Sequence, residues 1–186
     1  DPTGRTPGLE DYHDWLFSAG WGGYERAHGI GNTDVRATAS PLPADFHEEA
    51  WVATRTIAHL DTHLRRSPEQ PFFLWASFTK PHPPYDPPRP WDTMYDPRAI
   101  PPPTGACELL ADRDPMYRTW PVAYGWNQLS PEAIQNSRAH YYGLVSFQDY
   151  QIGRIIGYLD SAGRLDNTIV VYCADHGDLL GDFRCF

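Results

Sequence analysis

No apolar run in this chain approaches the roughly 20 residues that a membrane-crossing helix requires, and no signal peptide opens it. Basic residues do not cluster. The 15 Lys and Arg are scattered through a chain of net charge −9, which sets aside a nucleic-acid binder, since that class carries a basic stripe. An acidic protein still binds an anionic substrate where a few cations or a metal occupy one pocket. Cysteine is scarce: Cys107, Cys173 and Cys185 are an odd number without CxxC spacing, so no zinc ribbon and no disulfide framework is evident. They leave the compartment open between periplasmic or secreted and cytoplasmic. Internal repeats are absent too. Hydrophobic residues make up 41% against 21% charged, enough to bury a core. The 186 residues correspond to one domain or part of a larger one. Because the chain opens on Asp1 and ends at Phe186, directly after a Gly- and Asp-rich turn, we expect an interior piece of a longer protein.

What is present is proline, aromatics and two long helical patterns. In residues 9–20, Leu9, Tyr12 and Leu16 share one helical face and Gly20 marks a stop. Residues 21–44 read as loop. Ala53, Ile57, Leu60 and Leu64 then recur at helical spacing up to Arg65 and Arg66, basic residues that suit a helix C-terminus. Residues 72–78, "FFLWASF", are apolar on both faces and read as a buried strand. Prolines crowd residues 81–103, which excludes helix and central strand there and predicts a long, semi-rigid excursion. Residues 104–129 read as irregular. Ser130 as N-cap and Pro131 at the first helical position open a long helix that Gly163 ends. "NTIVVYCAD" follows as a second buried strand. Strand, crossover helix and strand together predict a parallel pair in an α/β sheet.

The first predicted strand runs out into Lys80-Pro81-His82 and the second into Asp175-His176-Gly177-Asp178. Ligand sites in parallel α/β sheets lie at the carboxyl ends of the strands, so the two clusters are expected on one side. The adjacent carboxylate and imidazole favour a metal over acid–base chemistry. Such a pair suits Zn²⁺, Mn²⁺ or Fe, whereas oxygen-rich surroundings suit Ca²⁺ or Mg²⁺. From the residues alone a blander reading stays open, in which Asp175 caps a turn and His176 is a satisfied, half-buried histidine.

"PFFLWASFTKPHPPYDPP" together with "NTIVVYCADHGDLLGDF" resembles the sulfatase family of the alkaline-phosphatase-like superfamily. "YYGLVSFQDYQIGRIIGYLDSAG" resembles the family helix leading into the Asp-His-Gly strand. The resemblance covers most of residues 45–186, with residues 1–44 as a loop-rich lead-in. It implies part of a single α/β catalytic domain: a mainly parallel central sheet flanked by helices, with a Pro-rich loop. It implies Asp175 and His176 as metal ligands, His82 as a catalytic and substrate-contacting histidine, and Lys80 as a second substrate contact. The implied metal is one divalent cation, Ca²⁺ before Mn²⁺, Zn²⁺ or Mg²⁺. The implied nucleophile is formylglycine, made from a Cys or Ser in Cys/Ser-x-Pro-x-Arg.

That motif does not occur in the 186 residues, and neither do the family's paired aspartates or the lysine that follows its Asp-His-Gly segment. Arg184 stands where relatives often have glycine. We therefore expect a sulfuric ester hydrolase whose nucleophile lies outside this chain, with a sulfated small molecule or glycan as substrate and Tyr85, Trp91 and Trp126 lining its pocket. The chain alone is expected to be inactive and to expose apolar sheet edges. Two alternatives are a phosphonate or phosphate mono- or diester hydrolase of the same superfamily, and a non-catalytic carbohydrate-binding protein using its seven Trp and eleven Tyr.

Overall fold

The computed structural model describes residues 11–105 and 114–186; Leu9 and Cys107 lie outside them. Among the described residues four α-helices carry the architecture: α1 (Asp11–Ser18), α2 (Glu48–Arg66), α3 (Met116–Ala123) and α4 (Pro131–Ser161). Short 3₁₀ turns fill the connections, among them Trp91–Thr93, Pro97–Ala99 and Asp182–Arg184.

Helix α2 forms where the apolar spacing predicts it. Glu48 and Glu49 lie in its first turn and His63, Arg65 and Arg66 in its last, each sign matched to its end of the helix dipole. Ala53, Thr56 and Leu60 are buried along one face. Helix α4 opens with the Ser130 hydroxyl accepting from the Ala133 N–H at 3.1 Å, with Pro131 just inside. It closes on Gly163 at φ 64°. There the Gly163 and Arg164 N–H groups donate back to the Asp160 and Leu159 carbonyls, both at 2.9 Å, the Schellman arrangement that favours glycine. Arg154 donates to Thr54 at 3.1 Å and Tyr158 to Asp61 at 3.2 Å, tying α4 to α2.

Two expectations differ from the structure. No strand occurs among the described residues, so the parallel sheet is not present in them. Residues 72–79 do alternate, with Phe72, Leu74, Ala76 and Phe78 half-buried and their neighbours exposed, the period of extended chain. Phe73 is 89% exposed, and Ile169 in the second predicted strand 93%. A strand is completed by a neighbour's backbone N–H and C=O groups, and no described segment supplies them here. The second difference is α3, which lies within a stretch read as irregular. Pro115 caps it and Pro121 sits inside it, and prolines suppress a helical signal in the sequence. The Pro-rich excursion stays non-helical apart from its 3₁₀ turns, whose first positions accept proline because no N–H is needed there.

The core that matters for function gathers Val35, Tyr85, Trp126, Leu144 and Leu180. These come from the lead-in, the Pro-rich segment, the turn before α4, α4 itself and the segment after Asp178. Helix α4 anchors both ends of this assembly. Ser137 donates to the Val35 carbonyl at 2.6 Å, and Arg138 to the Leu180 carbonyl at 3.0 Å. Residues 38 and 40 donate to the carbonyls of Tyr85 and Pro87. Gly143 lets α4 approach the 91–93 turn: a Cβ there would fall 2.4 Å from the Trp91 carbonyl oxygen.

Candidate active site

The site has two halves, each set three to five residues from a buried core anchor. His82 precedes Tyr85, which is wholly buried; Asp175 and His176 precede Leu180. Because Tyr85 and Leu180 share one cluster, the polar residues beside them are brought together although 93 positions separate Asp175 from His82.

Asp178 joins the halves. It is half-buried, and burial pushes its carboxyl above the usual range, while His176 and His82 nearby pull in the opposite direction. Its Oδ2 lies 3.5 Å from the Tyr85 hydroxyl, at the outer limit of a hydrogen bond. Burial, reinforced by Asp178, holds the Tyr85 phenol far above its ordinary range, so the hydroxyl remains a donor.

His82 is exposed. Its Nδ1 lies 2.7 Å from the Pro83 carbonyl oxygen. A carbonyl only accepts, so Nδ1 carries the proton and Nε2 is left for a ligand. His176 repeats the device, with Nδ1 2.9 Å from the Gly177 carbonyl. Metal-ligating histidines commonly use one ring N–H in this way, which frees the other nitrogen to coordinate. The Gly177 carbonyl, then Asp175, raises the His176 pKa. Asp175 Oδ1 accepts from the His176 N–H at 2.9 Å, and its Oδ2 lies 3.8 Å from His176 Nε2. One ion at ordinary ligand distances of roughly 2.0–2.5 Å reaches both atoms. Both side chains are open, Asp175 at 90% and His176 at 67% exposure. Among the described residues no group of three or more His, Cys, Asp or Glu gathers around an ion. The pair fits a divalent metal as two donors of an incomplete set.

Lys80 is placed differently from its expected role. It is buried, and its ammonium donates to Asp86 Oδ1 at 2.5 Å and to the Pro84 and His82 carbonyls at 2.7 and 3.3 Å. Of the aromatics expected to line a pocket, two are core residues and the third, Trp91, is half-buried. Tyr85 and Trp126 are buried, and Trp91 packs on Phe147 with ring centroids 4.6 Å apart. An aromatic side chain hides more apolar surface in a core than on a loop. Of the residues that sequence reading left unassigned, Asp178 stands in the quoted Asp-His-Gly-Asp string, a usable signal. His28 and Asp86 had none.

The arrangement is that of the alkaline-phosphatase-like superfamily. The family model for sulfatases matches residues 8–185, and the chain belongs to the sulfatase family. It is 35% identical over 146 residues to an arylsulfatase of Clostridium perfringens, which covers 76% of this chain and 29% of that protein. It is 30% identical over 138 residues to a choline-sulfatase of Rhizobium meliloti, covering 73% of this chain and 27% of the relative. A phosphonate monoester hydrolase from Silicibacter pomeroyi superposes with a TM-score of 0.75 at 27% identity, over 97% of this chain and 38% of that structure. The chain thus spans under two-fifths of each of these proteins.

Proposed function

We propose that this chain forms part of a sulfuric ester hydrolase, acting as a metal-assisted enzyme on sulfated small molecules or glycans. The observation that supports this reading is the 3.5 Å contact of the Tyr85 hydroxyl with Asp178, which joins the His82 loop to the Asp175–Asp178 turn, with His176, His82 and Asp175 all felt electrostatically at Asp178. Asp175 Oδ2 and His176 Nε2 would hold one divalent cation, Ca²⁺ before Mn²⁺, Zn²⁺ or Mg²⁺, together with donors from outside the described residues. When bound, that cation supplies Lewis-acid stabilisation of charge on the ester oxygens. The nucleophile, formylglycine in this reading, is carried outside residues 1–186.

His82 acts on the leaving group. Hydrolysis breaks the S–O bond to the alcohol, and the departing oxygen gains negative charge that a proton must neutralise. With Nδ1–H engaged by Pro83, a protonated His82 presents Nε2–H to that oxygen and delivers the proton as the bond breaks. The alcohol and inorganic sulfate are the products.

A second reading is supported by the likeness to the phosphonate monoester hydrolase, because the same His–metal arrangement serves a phosphonate or phosphate ester. Assay of the full-length protein with an aryl sulfate and an aryl phosphonate monoester decides between them. A higher kcat/KM on the sulfate, lost in Asp175→Asn, is the expected result. A dominant phosphonate rate overturns the sulfatase assignment. Carbohydrate binding that survives loss of both Asp175 and His176 would instead favour a binding protein.

A further inference from the structure

Lys80 is the only lysine of the chain; the other 14 of its 15 basic residues are arginine. Its surroundings show what an ammonium does there that a guanidinium does not. The three N–H groups of a lysine point at three corners of a tetrahedron, and here each meets a protein acceptor: Asp86 Oδ1, the Pro84 carbonyl and the His82 carbonyl. None is left for a substrate. A planar guanidinium with its fixed fork does not reproduce this convergence.

The acceptors are held in turn. Asp86 is buried, and its Oδ2 lies 3.1 Å from His28 Nε2. His28 Nδ1 accepts from the Ile30 N–H at 3.0 Å, so Nε2 bears the proton and donates to Asp86. On the other side, the Lys80 backbone N–H donates to Glu49 Oε1 at 2.9 Å. Glu49 is fully buried at the start of α2. Burial opposes its ionisation, but His47, 2.7 Å from Oε2, and the Lys80 N–H outweigh it and hold its carboxyl below the usual range. That His47 contact lies off the hydrogen-bond direction. The loop from 80 to 86 is therefore fastened at both ends and through its centre, and His82 is its exposed tip.

We propose that Lys80 is a positioning residue that acts through His82: its ammonium folds residues 80–86 around itself, with Asp86 and His28 behind it, and so fixes the direction in which the His82 ring faces the ester. This rests on the reading of His82 as the group that protonates the leaving oxygen.

The test uses the full-length protein and an aryl sulfate. Lys80→Met lowers kcat roughly ten- to a hundred-fold, as small misplacements of a catalytic group do, with KM little changed. In a His82→Ala background the same substitution costs less than about two-fold, because coupled residues do not add. Asp86→Asn keeps the shape of its side chain and gives a milder fall of the same kind, which covers the case in which Lys80→Met does not fold. A rise in KM, or an equal loss in both backgrounds, overturns the proposal. If His82→Ala itself is near normal, the reading of His82 fails, and amine acylation followed by peptide mass spectrometry still judges the clamp. Lys80 in the native protein reacts at least about ten-fold more slowly than in the unfolded chain, with or without inorganic sulfate. Rapid labelling that sulfate prevents would make Lys80 a substrate contact and overturn the clamp.

Discussion

The loop around His82 and the turn around His176 present the same chemistry, an imidazole whose Nδ1–H is tied to a neighbouring carbonyl, yet they are held in opposite ways. Residues 80–86 are organised by buried charges, Lys80 against Asp86 and His28, with Glu49 below. Residues 175–177 are held by local hydrogen bonds among themselves and stand open to solvent. On the function proposed above, the difference follows from what each has to do. A proton donor must be aimed before substrate arrives, because orientation is where its contribution to rate lies. Metal ligands are completed by the ion itself and by further donors, so their final geometry is set on binding. Within one site, one half is prearranged by the protein and the other waits for its charge partner.

Breaking the clamped half should cost the most. Asp86→Ala leaves the buried Lys80 ammonium without its counter-charge, and we expect a loss of about 3–5 kcal/mol in denaturant unfolding. A loss below about 1 kcal/mol would mean that water replaces the carboxylate and the loop is not clamped. The open half should respond in the reverse sense. Asp175→Asn is expected to lower kcat/KM at least about 10²-fold, as for a displaced catalytic metal, while its melting temperature in metal-free buffer stays at the wild-type value. A parallel fall in metal-free stability would contradict the contrast.

Gly143→Ala tests the support beneath the clamped half. The added methyl meets the Trp91 carbonyl, so the 91–93 turn must move, at about 1–3 kcal/mol for overpacking. Arg184→Gly tests the far end of the open half. Arg184 sits at φ 62°, a left-handed conformation costing a side-chain-bearing residue roughly 1–2 kcal/mol. Its guanidinium recovers part of that through the Leu129 carbonyl at 3.3 Å. The glycine variant should therefore melt slightly higher than wild type; a lower melting point would show that the Leu129 contact outweighs the strain.

The smallest effect concerns pH. Burial holds the His140 pKa below its ordinary value, against the opposing Asn136 carbonyl and Asp92. The folded state then binds its proton less readily than the unfolded one. His140 costs nothing above the ordinary histidine pKa of about 6.5, and stability falls as pH drops through it toward the folded value. Melting curves at pH 7.5 and 5.5 should differ less for His140→Gln than for wild type; an unchanged difference would place the acid sensitivity elsewhere.

Helices α2 and α4 were legible in the amino-acid order because a helix is made of contacts three and four residues apart, and its caps lie beside it. Ser130, Pro131 and Gly163 announce α4 within a single turn of each end. The two histidine-bearing turns were legible too, as polar strings that interrupt apolar runs. Arg184 was marked by the family resemblance, which often has glycine there, and its positive φ accords with a turn that suits glycine. The strands were a different matter. "FFLWASF" has the composition of a strand, but strand pairing depends on a partner's backbone rather than on its own residues.

The tertiary structure alone decided what Lys80 does. As a string, "TKPHPP" places a lysine beside a histidine and suggests two groups facing one ligand. Folding brings Glu49 from 31 positions away and Asp86 from six, and Asp86 brings His28 from 58, turning the ammonium inward. It also buried Tyr85 and Trp126 and set Asp178 against the Tyr85 hydroxyl. Burial and distant hydrogen bonding depend on which surfaces meet, and no local period encodes that. The sequence by itself determined the helices and the chemistry at hand; the packing decided which of those groups stay open to solvent and which hold others in place.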